Sequence, residues 1–143
     1  MVVILTTTGL QAQNSQENAW PVLGEVTYEI KEHEKYGMLM YPQFTENIKK
    51  LEGEIITLPG YIFPAQVHGD RNYILFSSLP LSSCFFCGGG GGPETVVQAY
   101  TKEKIGNHSS MIKIKGRLVL NATDPEIMMY ILEETEFAGF VGF

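Results

Sequence analysis

Glu54-Ile55-Ile56-Thr57-Leu58-Pro59-Gly60-Tyr61-Ile62-Phe63-Pro64 is the stretch on which the fold turns. Ile55, Ile56, Leu58, Tyr61, Ile62 and Phe63 make it nearly continuously apolar, with Pro59-Gly60 in its middle. A short apolar run of this kind reads as a strand buried on both faces. A glycine inside such a strand marks a bulge or bend, here where one long strand passes between two sheets.

Working outward, the flanking segments supply the rest of a β domain. Upstream, Val26, Tyr28 and Ile30 alternate with Glu25, Thr27 and Glu29, the period-two signature of a strand with one buried face. Lys31 to Lys35 reads as a solvated charged stretch. A short helix is expected from Tyr41-Pro42, with Phe44, Ile48 and Leu51 on one face and Gly53 closing it. Downstream, His68-Gly69-Asp70 reads as a turn, Tyr73 to Phe76 and Thr95 to Thr101 as strands. Met111 to Leu120 is the clearest strand of all. Ile112, Ile114, Leu118 and Leu120 share one face with Gly116, and Lys113, Lys115 and Arg117 share the other. Asp124-Pro125 is expected to start a short helix, and a final strand to run from Tyr130 to Phe137. The pattern predicts a mainly β chain: a small OB-like Greek-key barrel of about five strands with short helices. An α/β fold would need longer helices between its strands.

The length of 143 residues fits one domain, and 44% hydrophobic residues suffice for a core. A net charge of −6 with scattered basic residues argues against nucleic acid as a partner, because phosphate binding needs clustered Lys and Arg. No apolar run reaches the length of a membrane span. Charged residues at 18% suit an exported domain. Residues 1–12 read as a signal-peptide remnant lacking its basic start, with Ala12-Gln13 as the cleavage point. The expected organisation is therefore a remnant at 1–12, a disordered linker at 13–19, the OB-like domain at 20–137 and a tail at 138–143. The expected location is periplasmic or otherwise exported.

The run Leu51-Glu52-Gly53, a β-branched strand, Gly60-Tyr61 and then Pro64 resembles a family of exported bacterial domains of unknown function with an OB-like fold. The early Trp20 and Cys84 fit the same pattern, and the resemblance extends over residues 20–137. It implies export, the OB-like fold and a link to metal handling, with no catalytic residues to carry over. The chain departs from the pattern after Cys84. Phe86 stands at the spacing of a histidine, and Cys87 with a glycine run replaces a Pro-rich loop.

Cys84-Phe85-Phe86-Cys87-Gly88 is the most pointed chemical feature. Two thiolates at this spacing hold one side of a tetrahedral zinc or copper site, with His68, or His33 or His108, as further ligands. In an oxidising compartment the same pair forms a disulfide. Thioredoxin-like chemistry would need a helix after the first cysteine, which Gly88 to Gly92 discourages. Those glycines read as a loop tip rather than a phosphate cradle, since no Lys-Ser/Thr follows. Glu133, Glu134 and Glu136 read as a solvated strand edge, and Tyr61, Phe63, Tyr73 and Phe76 as core. The sequence thus points to an exported binding or accessory module rather than an enzyme. The alternatives are a thiol-redox enzyme using the cysteine pair, or a structural interaction domain with that pair as a disulfide.

Overall fold

The computed structural model describes residues 17–63, 66–68, 71–80, 91–106 and 110–141. In chain order the elements are helix α1 (Trp20–Leu23), strands β1 (Thr27–His33) and β2 (Gly37–Gln43), helix α2 (Glu46–Leu51), strands β3 (Ile55–Ile62), β4 (Gln66–His68) and β5 (Arg71–Ser77), a 3-10 turn at Pro93–Thr95, and strands β6 (Val96–Thr101), β7 (Ile112–Leu120) and β8 (Tyr130–Phe140). Five of the strands close into a barrel in the order β3-β7-β8-β6-β5, with β5 returning to β3. All its neighbours are antiparallel except β6 and β8. This is the mainly β, OB-like Greek-key barrel expected from the sequence. Among the described residues no helix is long and apolar enough to cross a membrane.

Gly60 sits where the barrel turns its corner. From Ile55 to Gly60, β3 pairs with β7; from Tyr61 it pairs with β5. A Cβ on Gly60 would lie 2.2 Å from the Ser77 carbonyl oxygen, so its absence is what lets the two backbones approach. The expected bend is therefore a close approach at the change of partner. Inside the barrel, alternate residues pack together: Ile56 and Leu58 of β3, Ile74 and Phe76 of β5, Val97 and Ala99 of β6, Ile112, Ile114 and Leu118 of β7. One extra residue, Glu134, bulges β8 at φ +52, so that Leu132 and Thr135 are both buried.

The helices plug the end of the barrel where β3 begins. Thr45 caps α2 by accepting a hydrogen bond from the Ile48 amide at 3.2 Å, and buries Ile48 with Phe44 and Leu51 packed beside it. In α1, Leu23 is buried and its carbonyl accepts from the Tyr130 hydroxyl at 2.7 Å. Trp20 donates its indole N–H to the Pro59 carbonyl. The packed domain takes in Ala19, which is buried and whose amide bonds the Thr57 carbonyl. It also runs past residue 137, because β8 stays paired with β7 as far as Phe140 opposite Ile112.

Four expectations are corrected. The helix expected from Tyr41-Pro42 begins only at Glu46, because residues 37–43 form a strand that pairs with β1. Asp124-Pro125 starts no helix: the Asn121 side chain holds residues 121–128 as a loop. Glu133, Glu134 and Glu136 lie on an interior strand rather than an edge, Glu134 paired with Arg117 and Glu136 with Lys115 and Lys102. Of the four aromatics read as core, only Phe76 is fully buried. Tyr61, Phe63 and Tyr73 are half-buried, and Tyr73 packs against Tyr100 of the neighbouring strand at 5.7 Å between ring centroids.

Candidate functional site

Strand directions bring three pieces of chain to one end of the barrel. The β5–β6 and β7–β8 connections leave from the end at which β3 enters, and the β1–β2 hairpin arrives there ahead of α2. Between the hairpin and the β7–β8 connection lies a groove of about 240 Å³. Tyr28, Met40 and Pro42 wall it on the hairpin side, Pro125, Ile127 and Met128 on the other.

The hairpin is built amphipathic. Register pairs Tyr28 with Pro42, Ile30 with Met40 and Glu32 with Met38, so these residues share one face. The opposite face mixes polar residues with the part-buried Leu39 and Tyr41: there Glu29 receives Lys31 at 3.4 Å and the Gln43 amide at 3.1 Å. Among the described residues nothing covers the apolar face toward the tip. Ile30 is 64% exposed, Met38 66% and Met40 60%. Gly37, at φ +74, closes the three-residue turn 34–36 in a conformation that a side chain would strain.

Two tyrosine–carboxylate bonds hold the hairpin over the groove. At its base the Tyr28 hydroxyl donates to Glu94 at 2.7 Å. Burial first, and Glu94 second, push that hydroxyl well above the ordinary phenol range. At its tip, Tyr36 and Lys35 both donate to Glu126 of the β7–β8 connection. These bonds, that from Tyr36 foremost, hold the Glu126 carboxyl below its usual range, while Glu126 raises Tyr36. The far wall is organised by one side chain. The Asn121 amide donates to the carbonyls of Asp124, Ile127 and Met128 and accepts from the amides of Thr123 and Asp124. With its loop backbone bonded internally, that wall can present Pro125, Ile127 and Met128 as a surface set before any ligand arrives.

The surroundings are acidic. Across the hairpin with its approach (25–43), the 3-10 turn and the β7–β8 connection (121–129), seven carboxylates stand against two lysines, Lys31 and Lys35. These segments therefore carry most of the chain's net charge of −6.

Cys84, Cys87 and His108 lie outside the described residues, as do the signal remnant at 1–12 and most of the glycine run. The flanks of the cysteine segment are described: the Ser78 amide bonds the Thr95 carbonyl at 2.9 Å, at the groove end of the barrel. His68 belongs to β4, in the connection at the opposite end, with its backbone paired to Arg71. His33 ends β1; its Nδ1 accepts from the Lys35 amide, and its ring stacks on Tyr36. Among the described residues no three of His, Cys, Asp and Glu are arranged to hold a metal ion. No protein-family model matches the chain, and no curated protein matches it.

Proposed function

We propose that this chain is a protein-binding module that takes an apolar, lysine- or arginine-flanked peptide segment of a partner on its β1–β2 hairpin. The observation that carries the reading is the exposed face of Ile30, Met38 and Met40, which continues into the groove beneath it. Contiguous exposed apolar side chains on a protein surface mark interaction sites. Methionine suits such a surface because its flexible thioether adapts to differing partners. A groove of about 240 Å³ lies below the range of cofactor and drug-sized sites and accommodates an anchoring side chain instead. The seven carboxylates supply the sign of the partner. They repel a second copy of this chain and attract a cationic segment, steering its approach. Export and metal handling belong to the same proposal only through residues 1–12 and the cysteine pair.

The test uses synthetic ten-residue peptides with an apolar centre, flanked by lysine in one series and glutamate in the other. The lysine series should bind and the glutamate series should not, by fluorescence anisotropy. Met40→Asp should weaken binding by about 10- to 100-fold, the equivalent of the ~1.5–3 kcal/mol of burying that side chain. Raising salt from about 0.05 to 0.5 M should weaken it several-fold further. Equal binding of both series, or none by the lysine series, overturns the reading.

A further inference from the structure

Resting on that reading, the geometry points to the way the segment is held: it adds to the hairpin as a third strand along the outer edge of β2. Among the described residues the β1–β2 sheet has two strands, and no backbone hydrogen bond reaches either of its outer edges. Such an edge is a template for another strand unless something blocks it. Of β1 only Tyr28 reaches the groove, whereas β2 lines it with Leu39, Met40, Tyr41 and Pro42. The β2 edge, Gly37 to Gln43, carries no charged side chain at all.

Pro42 sets which peptide groups face outward. Proline has no N–H to give to a ladder and is accommodated where its nitrogen points away from the paired strand. Tyr28 and Pro42 are therefore a non-hydrogen-bonded pair. In an antiparallel ladder such pairs alternate with hydrogen-bonded ones. The register from Thr27 to His33 is unbroken, so Ile30–Met40 and Glu32–Met38 are of the same kind as Tyr28–Pro42. The N–H and C=O groups of Met38 and Met40 then point outward, followed by the Pro42 carbonyl. These are the residues whose side chains form the exposed apolar face. An added strand thus gains main-chain bonds from the same residues that receive its alternate side chains. Its reach along β2 ends at Pro42, which offers an acceptor but no donor.

The experiment takes the tightest-binding lysine-flanked peptide and methylates its backbone nitrogens one at a time. Strand addition predicts alternation. Methylation at every second residue across the paired stretch should weaken binding about tenfold or more, and at the residues between by less than about twofold. In the protein, Met40→Pro removes an outward donor and no bond of the β1–β2 ladder. It should abolish peptide binding while Met40→Leu retains it, with folding followed by circular dichroism. Should Met40→Pro fail to fold, the methylation series on the unaltered protein still decides. Salt-dependent binding of the lysine series without any alternation overturns strand addition and leaves the docking face standing. Failure of every lysine-flanked peptide to bind overturns both.

Discussion

Replacing Gly60 by alanine tests how the barrel closes. The added Cβ would sit 2.2 Å from the Ser77 carbonyl oxygen, 2.9 Å from Phe76 Cε1 and 3.0 Å from the Ser77 carbonyl carbon. Ordinary contact begins near 3.4 Å, so the two backbones must part by about 1 Å. The neighbours cannot yield cheaply, because Ser77 and Phe76 are both fully buried. The clash also falls beside the closing pairs, Tyr61–Ser77 and Ile62–Phe76. Overpacking at a backbone contact of this kind should cost about 2–4 kcal/mol, and Gly60→Val more. In urea, with a slope of roughly 1–2 kcal/mol/M for a chain of this size, the midpoint should fall by about 1–4 M. Trp20 is the only tryptophan and bonds the carbonyl next to Gly60, so its fluorescence reports the transition locally. Gly24→Ala is the control. Gly24 has φ −70, and its Cβ would make only a 3.5 Å contact, so alanine should be neutral or stabilise by roughly 0.4–1 kcal/mol through the unfolded chain. Should both alanine variants move the midpoint alike, or Gly60→Ala leave it unchanged, close approach would not be the reason for the glycine.

Three further outcomes follow from the same structure. Thr135 is fully buried and its hydroxyl has no hydrogen-bond partner among the described residues, so the near-isosteric Thr135→Val should be neutral or stabilise by up to about 1 kcal/mol in the same urea assay. Tyr36 should ionise above the ordinary phenol range in a spectrophotometric titration, and Glu126→Gln should bring it back down. Conversely, Glu126 has its pKa depressed by the fold, so its contribution to holding the hairpin tip should be complete above the ordinary carboxylate range and be lost only as pH falls through the lower folded value, as read from the Tyr36 ring resonances. Cys84→Ser and Cys87→Ser should leave the melting temperature nearly unchanged, because none of the described residues flanking the pair, 78–80 and 91–95, is buried; if the pair is a metal site, uptake of zinc or copper tracks free thiol and vanishes in either variant, while absence of free thiol before reduction would assign the pair to a disulfide.

The barrel is legible in two kinds of strand signal, a clean alternation and a short apolar run broken by glycine. Ile112 to Leu120 alternates cleanly, since one face meets the core and the other meets solvent. Ile55 to Ile62 reads from sequence as buried on both faces, but only Ile56, Leu58 and Gly60 are buried and Ile55 is 58% exposed; Gly60 within it marks the corner. Strand β2 was missed for a reason that also explains the site. Gly-Met-Leu-Met-Tyr-Pro is apolar throughout, because one face is exposed apolar surface and the other packs Leu39 and Tyr41, so neither period stands out. The loop after β7 was misread because an Asp-Pro pair opens helices and loops alike. What decided it was Asn121, whose side chain occupies carbonyls that a helix would have used internally.

The site escaped the sequence reading because it has no chemical signature of its own. Cysteines and histidines stand out in a sequence because their types imply chemistry wherever they stand. The groove is made instead of methionine, isoleucine, proline and tyrosine, which from sequence are indistinguishable from core. Only the register of β1 against β2 places Ile30, Met38 and Met40 on one face, and only the fold leaves that face exposed. One trace was present. The carboxylates of Glu25, Glu29, Glu32 and Glu34 cluster within ten residues, interleaved with the apolar positions. Beyond Tyr28, which packs on the core, β1 carries Ile30 exposed between Glu29 and Lys31; on the proposed reading the carboxylates and the exposed apolar side chain serve one cationic, apolar partner, whereas solvation would require the charges and not an exposed Ile30.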